Sequence, residues 1–369
     1  MRGFSALRWG VLVGLPLVVF PIGDSVREPK LFAMIGLSFV ALVTLWRRRK
    51  TTRRWPVYVL AFSAYATANS LVLFPSLVPL LALWCGLLLA LETAAAVQEN
   101  PRHTRLLLEG LTWFLLGFSL LQQLEMDPVF RHDVPFLHRL PTGFMGQHTL
   151  HAAFLAVCAS FHLAGRRWWP LAAALGTMFL AKSTMAALGF LAALGFWVWL
   201  HPHWRRRAAA GGTLALGTAG AWLWWHGGFL QDSGRLEVWR KTAELAWEKP
   251  LLGHGFHSFQ EIFPRVYLSS TNHYWQQAHN EILQVFFELG AVGVLLLSLI
   301  LAELWDSLSS FPRRQDALSS PALPWALVTV CLMVNSLGSF PWHMPPLAML
   351  GTVGFFVVTL TLCHPSRMR

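Results

Sequence analysis

The fold class this sequence predicts is all-α, a polytopic membrane bundle of about twelve transmembrane helices with a large helical loop on one face. Three observations predict it. The chain is 55% hydrophobic and only 13% charged over its 369 residues, whereas a soluble protein carries about a quarter charged residues. Apolar runs of near-spanning length recur from one end of the chain to the other, and each is a candidate membrane helix. The arginines collect at the ends of those runs, as the positive-inside rule requires. The same rule accounts for the formal net charge of +11 without nucleic acid, so no nucleic-acid partner is expected.

The expected spans run over 9–22, 31–46, 56–74, 77–97, 106–123, 149–164, 168–181, 184–200, 208–227, 281–303, 324–341 and 345–363. Arg2 and Arg8 precede the first run, which lacks a small-x-small cleavage site and reads as a span, not a removed signal. The seventh and eighth are separated only by Lys182-Ser183 and read equally as one long broken helix. With the N-terminus inside, the cytoplasmic segments hold about two thirds of the 29 Lys and Arg, and every such segment holds at least two. Dropping one span puts a basic block outside. Both termini are therefore expected in the cytoplasm, with residues 1–369 forming one integral membrane domain. Cys85, Cys158, Cys331 and Cys363 show no paired spacing, and no disulfide is expected.

Two outward loops result. The shorter, 124–148, is rich in Pro and Gly, which argues against a continuous helix. It reads equally as a cover over a site and as an ordinary connector. The longer, 228–280, is the longest stretch that is not apolar. Irregular polar backbone of this kind sits in water or lines a cavity, because hydrocarbon cannot satisfy it. Within it, Leu236, Trp239, Ala243, Ala246 and Trp247 form a helical stripe over Arg235–Glu248, capped by Asp232 or Ser233 and ended by Lys249-Pro250. Glu237 and Lys241 stand at i,i+4. Gly253-His254-Gly255 is a turn, and a second short element runs through Phe259–Tyr267 with Arg265 on it. After His279, Glu281, Gln284 and Glu288 recur at i, i+3, i+7 on an apolar helix. A carboxylate at membrane depth is expensive against lipid, so this stripe must face the bundle interior or a water-filled cavity.

Three patches carry a resemblance. One is Gly234-Arg235-Leu-Glu-Val-Trp239 followed by Pro250-Leu-Leu-Gly253-His254-Gly255-Phe256; the second is His279-Asn280-Glu-Ile-Leu283 with Glu288-Leu-Gly290 and Gly293. The third and weaker one is Gly143-Phe-Met-Gly-Gln-His148. Together they resemble the O-antigen ligase and polymerase superfamily of bacterial inner-membrane glycosyltransferases. The two strong patches cover about sixty residues and keep the family's spacing across an outer loop. One departure stands out: where the family often carries a Ser-Arg pair, this chain reads Ala181-Lys182-Ser183-Thr184. Lys182 is a point charge and holds a diphosphate less rigidly than an arginine fork.

The resemblance implies metal-independent, inverting glycan transfer on the periplasmic face of the inner membrane. The donor is then a glycan on undecaprenyl diphosphate, and the acceptor of a ligase is a sugar hydroxyl of the lipid A core. The residues agree with that chemistry. A lipid diphosphate leaves readily when its developing charge is stabilised. None of the aspartates stands at D-x-D spacing, which favours fixed cations over metal: Arg235 first, Arg265 second, Lys182 third, since the planar guanidinium suits phosphate. No cofactor is expected. The acceptor hydroxyl needs a base, and His279 fits with a reference pKa of ~6.5. Its place at a helix N-terminus disfavours imidazolium, and Asn280 or Glu281 is placed to orient it. Trp239, Gly253, Gly255 and His254 complete the expected substrate-binding set by the motif match. Bland readings stand beside these: Arg235 as a solvated helix charge, His279 as a cap, Glu288 as an internal hydrogen-bonding group. His254, His257 and His273 lack the converging ligands zinc needs. The tryptophans around the outer loops, among them Trp222, Trp224, Trp225, Trp239, Trp247, Trp275 and Trp342, read mostly as an interfacial belt.

The rival readings are an O-antigen polymerase with the same donor, a protein-glycosylating relative, and a twelve-span transporter or flippase. Against the transporter stands the absence of an evident internal repeat.

Overall fold

A computed structural model describes residues 9–17, 27–47, 57–124, 126–127, 140–201, 234–267, 275–311 and 317–362. Among them every regular element is a helix. After a short π-helical turn at Gly10–Gly14 that runs on through Leu15–Leu17, the chain forms α1 (Arg27–Arg47), α2 (Val57–Leu73), α3 (Leu77–Glu99), α4 (Pro101–Gln123), α5 (His148–Ala164), α6 (Trp168–Leu180) and α7 (Thr184–Trp199). The outer loop contributes α8 (Arg235–Ala246) and α9 (Phe259–Val266), and α10 (Glu281–Ser310), α11 (Leu323–Asn335) and α12 (Pro345–Leu362) complete the order. Three of these, α3, α4 and α10, are long and apolar enough to cross a membrane; the remaining apolar helices are shorter. The expected ninth span, 208–227, lies outside the described residues, as does most of 124–148.

The helices form where the sequence breaks permit. Asn100 ends α3 and caps α4, its side-chain oxygen accepting from His103 N at 3.0 Å, with Pro101 at the first helical position where it loses no bond. Lys182, in a left-handed conformation (φ 49°), and the cap of Ser183 separate α6 from α7, so these are two helices and not one broken one. α5 is the buried axis of the bundle: nearly its whole surface is covered, by α6, α7 and α11. α1 and α12 pack on α3, and α2 on α10.

α10 is discontinuous. Gly290 takes φ 64° and ψ −164°, breaking the helical ladder after Leu289. The backbone groups this frees are all partnered. Ala291 N donates to Pro250 O (2.8 Å) and Val292 N to Leu251 O (3.4 Å). Phe287 O accepts from His254 N and Glu288 O from Gly255 N, both at 2.9 Å. Leu289 O accepts the Tyr65 hydroxyl at 2.9 Å. Asn69, also on α2, holds the loop from the other side, its amide donating to Leu252 O (2.7 Å) while its oxygen accepts Phe256 N (2.9 Å). The loop approaches so closely that a Cβ on Gly253 (φ 71°) meets the carbonyl of Glu288, and one on Gly290 meets that of Leu251.

The helical part of the outer loop packs as a small cap with its own core of Val238, Ala246, Phe259, Phe263, Ala278 and Phe287. Here the expected stripe divides. Ala246 faces inward together with Val238 and Thr242, whereas Leu236 and Trp247 are 64% and 69% exposed. Small residues let α8 lie close on the first half of α10, and the bulky apolar ones point away from the cap. Gly234 (φ 78°) precedes α8 without a side-chain cap; Asp232 and Ser233 lie outside the described residues. Lys241 pairs with Glu244 at 2.7 Å, at i,i+3, in place of the expected Glu237 partner.

Replacing Gly253 with Ala is expected to lower stability by at least about 1–2 kcal/mol, from left-handed strain alone, with the carbonyl clash added. Thermal unfolding of the purified protein in detergent measures this. A Gly110→Ala change, where a Cβ meets nothing within 4 Å, is the comparison and should be neutral or slightly stabilising.

Candidate active site

The cap and the membrane helices meet at the segment 275–281, and the site is built there. Ala278 is held at both ends of its backbone: its N–H donates to Gln284 Oε1 at 3.0 Å, and its carbonyl accepts the Trp239 indole N–H at 2.9 Å. This clamp sets the next residue, His279, which adopts a left-handed conformation (φ 55°) uncommon for a residue with a Cβ. The His279 ring lies edge-on between Trp275 (centroids 5.1 Å) and Phe340 (4.6 Å). Its Nδ1 is buried and has no hydrogen-bond partner. Strain and an unpartnered polar atom together mark a position held for something other than packing.

Asn280 caps α10, accepting Leu283 N at 3.0 Å and donating to Leu337 O at 3.3 Å. Glu281 accepts Trp342 N (3.1 Å) and faces His343 Nδ1 at 3.3 Å. Neither reaches the His279 ring, so the ring is oriented by the backbone clamp and its aromatic neighbours, and not by the adjacent side chains. The polar stripe does face inward: Glu281, Gln284 and Glu288 are 8%, 3% and 5% exposed. Gln284 is its hub, its amide nitrogen within 3.1 Å of Gln277, Glu288 and His343. Glu288 accepts the backbone N–H of His257 (2.8 Å) and of Phe259 (3.4 Å), tying the start of α9 to the membrane helix. Glu288 is thus an internal anchor.

Arg235 opens α8 half-buried, and among the described residues no carboxylate pairs with it. Its charge is felt at both His148 and His279. Burial, then Arg235, then His343 push the His279 pKa down to about 3, so the ring is a neutral free base at physiological pH. The expectation of a free base was made from the helix N-terminus; burial is the larger cause.

The other expected residues are placed differently. Gly253 and Gly255 are the close-approach points of the loop on α10 and on Phe74. His254 is structural, its Nε2 bonded to Leu245 O at 2.9 Å and its ring stacked on Phe287 at 4.5 Å. Arg265 has a side chain 78% exposed and lies 3.5 Å from Glu261 on the same helix. Lys182 is exposed at the α6–α7 turn. Arg235 is thus near enough for its charge to act on His279, while Arg265 pairs on its own helix with Glu261. Two residues were not singled out from sequence. His148 enters through the Gly143–His148 patch, where Gln122 Oε1 accepts Gly143 N at 2.9 Å and fixes the turn. His343 sits in a proline-flanked 3-10 turn, Pro341–His343, and no local pattern distinguishes it. Among the described residues no group of His, Cys, Asp and Glu is arranged to hold a metal ion.

With this geometry in view, the comparisons with known proteins fit. Residues 169–298 match the family described as O-antigen ligase, a match over about a third of the chain that supports an O-antigen ligase-like superfamily. The matched stretch contains α8, the Pro250–Gly255 loop, His279 and the break in α10. A ligase- or polymerase-type glycosyltransferase function in a membrane is what this family supports. No curated protein matches the chain.

The depressed His279 pKa has a consequence for folding. The unfolded chain takes up a proton near pH 6.5, which the folded protein refuses until about pH 3. Stability should therefore fall as pH is lowered from about 6.5 toward 3, at up to ~1.4 kcal/mol per pH unit for this one group. Chemical unfolding across that range, wild type against His279→Asn, checks it. Asn tolerates the left-handed backbone, and the variant should show a shallower slope.

Proposed function

We propose that the protein moves a glycan from undecaprenyl diphosphate to a sugar hydroxyl of the lipid A core, at the periplasmic face of the inner membrane, without a metal. The observation that supports this is a half-buried guanidinium, Arg235, for which the described residues offer no carboxylate partner, and whose charge acts on His279, a left-handed histidine with a ring nitrogen that has no partner among those residues. Such a cation suits a diphosphate; Glu281 and Glu288 are already occupied.

In this reading the donor diphosphate enters beside Arg235, and its negative charge raises the His279 pKa from its low value in the empty site. The base is thereby tuned by the substrate it serves. The acceptor hydroxyl oxygen attacks the anomeric carbon from the face opposite the diphosphate. As that bond forms, the carbon–oxygen bond to the diphosphate breaks, His279 takes the hydroxyl proton, and undecaprenyl diphosphate leaves with its charge held by Arg235. Inversion follows from the single displacement. Arg265 and Lys182 serve in this reading as second and third cations for the donor. Trp239 acts through the Ala278 carbonyl, Asn280 as the cap that starts α10, and Gly253, Gly255 and His254 by locking the loop on the broken helix. The same reading has twelve spans, 9–22 and 208–227 among them, with both termini in the cytoplasm, the 228–280 loop in the periplasm and 124–148 as a cover over the site.

Lipopolysaccharide from a deletion strain complemented with wild type, His279→Ala or Arg235→Ala tests this, with lipid-linked glycan measured in the same cells. Each variant should lose about 10²–10⁴-fold in transfer at equal membrane expression. Loss of capped lipopolysaccharide with long lipid-linked chains accumulating is the ligase outcome. Accumulation of single repeat units makes the protein a polymerase, and wild-type behaviour of both variants removes the catalytic assignment.

A further inference from the structure

The other end of the bundle holds a cavity that this chemistry does not use. It lies between the start of α4, the end of α5 and the 317–325 segment leading into α11, with a volume of about 530 Å³. α5 begins at His148 beside the candidate site and ends at the cavity; 17 residues of helix separate the two by about 25 Å.

Its lining divides into two chemistries. Arg105 and Arg166 line it, with the hydroxyl-bearing Thr104, Ser319 and Ser320; Phe161 and Trp325, packed edge-to-face at 5.6 Å, supply apolar surface. The charges are unbalanced. Arg167, the next residue in the chain but not in the lining, is paired with both oxygens of Glu109 at 2.7 and 2.9 Å. Among the described residues neither Arg105 nor Arg166 has a carboxylate partner, and Arg166 reaches only the His201 ring at 3.4 Å. Arg166 moreover sits in a left-handed backbone (φ 52°) that aims it from the α5–α6 turn. Two exposed arginines lining a cavity that also holds aromatic surface match a phosphate attached to an apolar tail, the arrangement by which basic pockets between membrane helices take acidic headgroups.

We propose that this cavity binds a phosphate group of net negative charge through Arg105 and Arg166. The source is either the headgroup of an acidic membrane lipid, its chain on the Phe161–Trp325 wall, or a free phosphate compound entering from water.

Purified full-length protein in detergent is titrated with short-chain phosphatidylglycerol, with short-chain phosphatidylcholine, whose own cation offsets its phosphate, and with inorganic pyrophosphate, reading bound ligand by native mass spectrometry. The same titrations follow on Arg105→Gln/Arg166→Gln and on Arg102→Gln, an exposed arginine at the same end outside the lining. Phosphatidylglycerol should bind saturably and at least about tenfold more weakly to the double variant, with Arg102→Gln unchanged. Pyrophosphate binding with the same dependence, and no phosphatidylglycerol binding, keeps the phosphate site and makes the source soluble. Equal binding by wild type and double variant, equal binding of phosphatidylcholine, or no saturable binding of either anion overturns the proposal. Wild type alone supplies a further check: affinity must fall between roughly 0.05 and 0.5 M salt, and salt-insensitive binding also overturns it.

Discussion

The interruption of α10 at Gly290 is the constraint on which the rest of the site depends. A helix broken at membrane depth exposes N–H and C=O groups that lipid cannot satisfy. Here the loop Pro250–Gly255 lies against the break and takes over most of those groups, while Tyr65 takes the Leu289 carbonyl. The outer loop is thus fastened to the membrane helix through main-chain bonds, which do not depend on side-chain identity, and through glycines, which do. Gly253 and Gly290 are needed because each stands where a Cβ meets the other segment's carbonyl.

Fastening the loop at that depth places the rest. α8 and α9 close over the first half of α10 around Phe259, Phe263 and Phe287. Glu288, two residues ahead of Gly290, reaches back to the start of α9. Gln284 and Trp239 grip the two sides of Ala278, and His279 is turned into its left-handed conformation next to them. Arg235, at the opening of α8, arrives at the same point from the other end of the loop. The polar stripe is therefore a support: its carboxylates accept backbone N–H groups and face His343. The His279 imidazole is kept neutral first by burial and then by Arg235 and His343.

Much of this was readable in the sequence. The apolar runs, the inward polar stripe at i, i+3, i+7 and the helix after Gly234 all followed from pattern. The choice among histidines and cations was not. His254 and His279 look alike in the chain, yet one spends its nitrogen on a carbonyl and the other keeps a nitrogen free. Arg265 and Arg235 look alike, and one is in water beside Glu261 while the other is half-buried without such a partner. The face of α8 that packs on α10 was not readable from the apolar stripe: Ala246 goes in with Val238 and Thr242, while Leu236 and Trp247 stay out, because small volume decides what fits against a close neighbour.

What the sequence determined by itself was the set of helices and the class of chemistry, because both rest on short-range facts: apolar length against bilayer thickness, polar spacing against the helical repeat, and residue type against reaction. What only the tertiary structure decided was which polar groups are free to act. Satisfaction of a buried donor or acceptor depends on partners 62 to 224 residues away, such as Tyr65 for Leu289, Asn69 for Leu252 and His343 for Glu281. No local pattern carries that information, since each bond is fixed by how helices pack and not by what stands beside it in the chain.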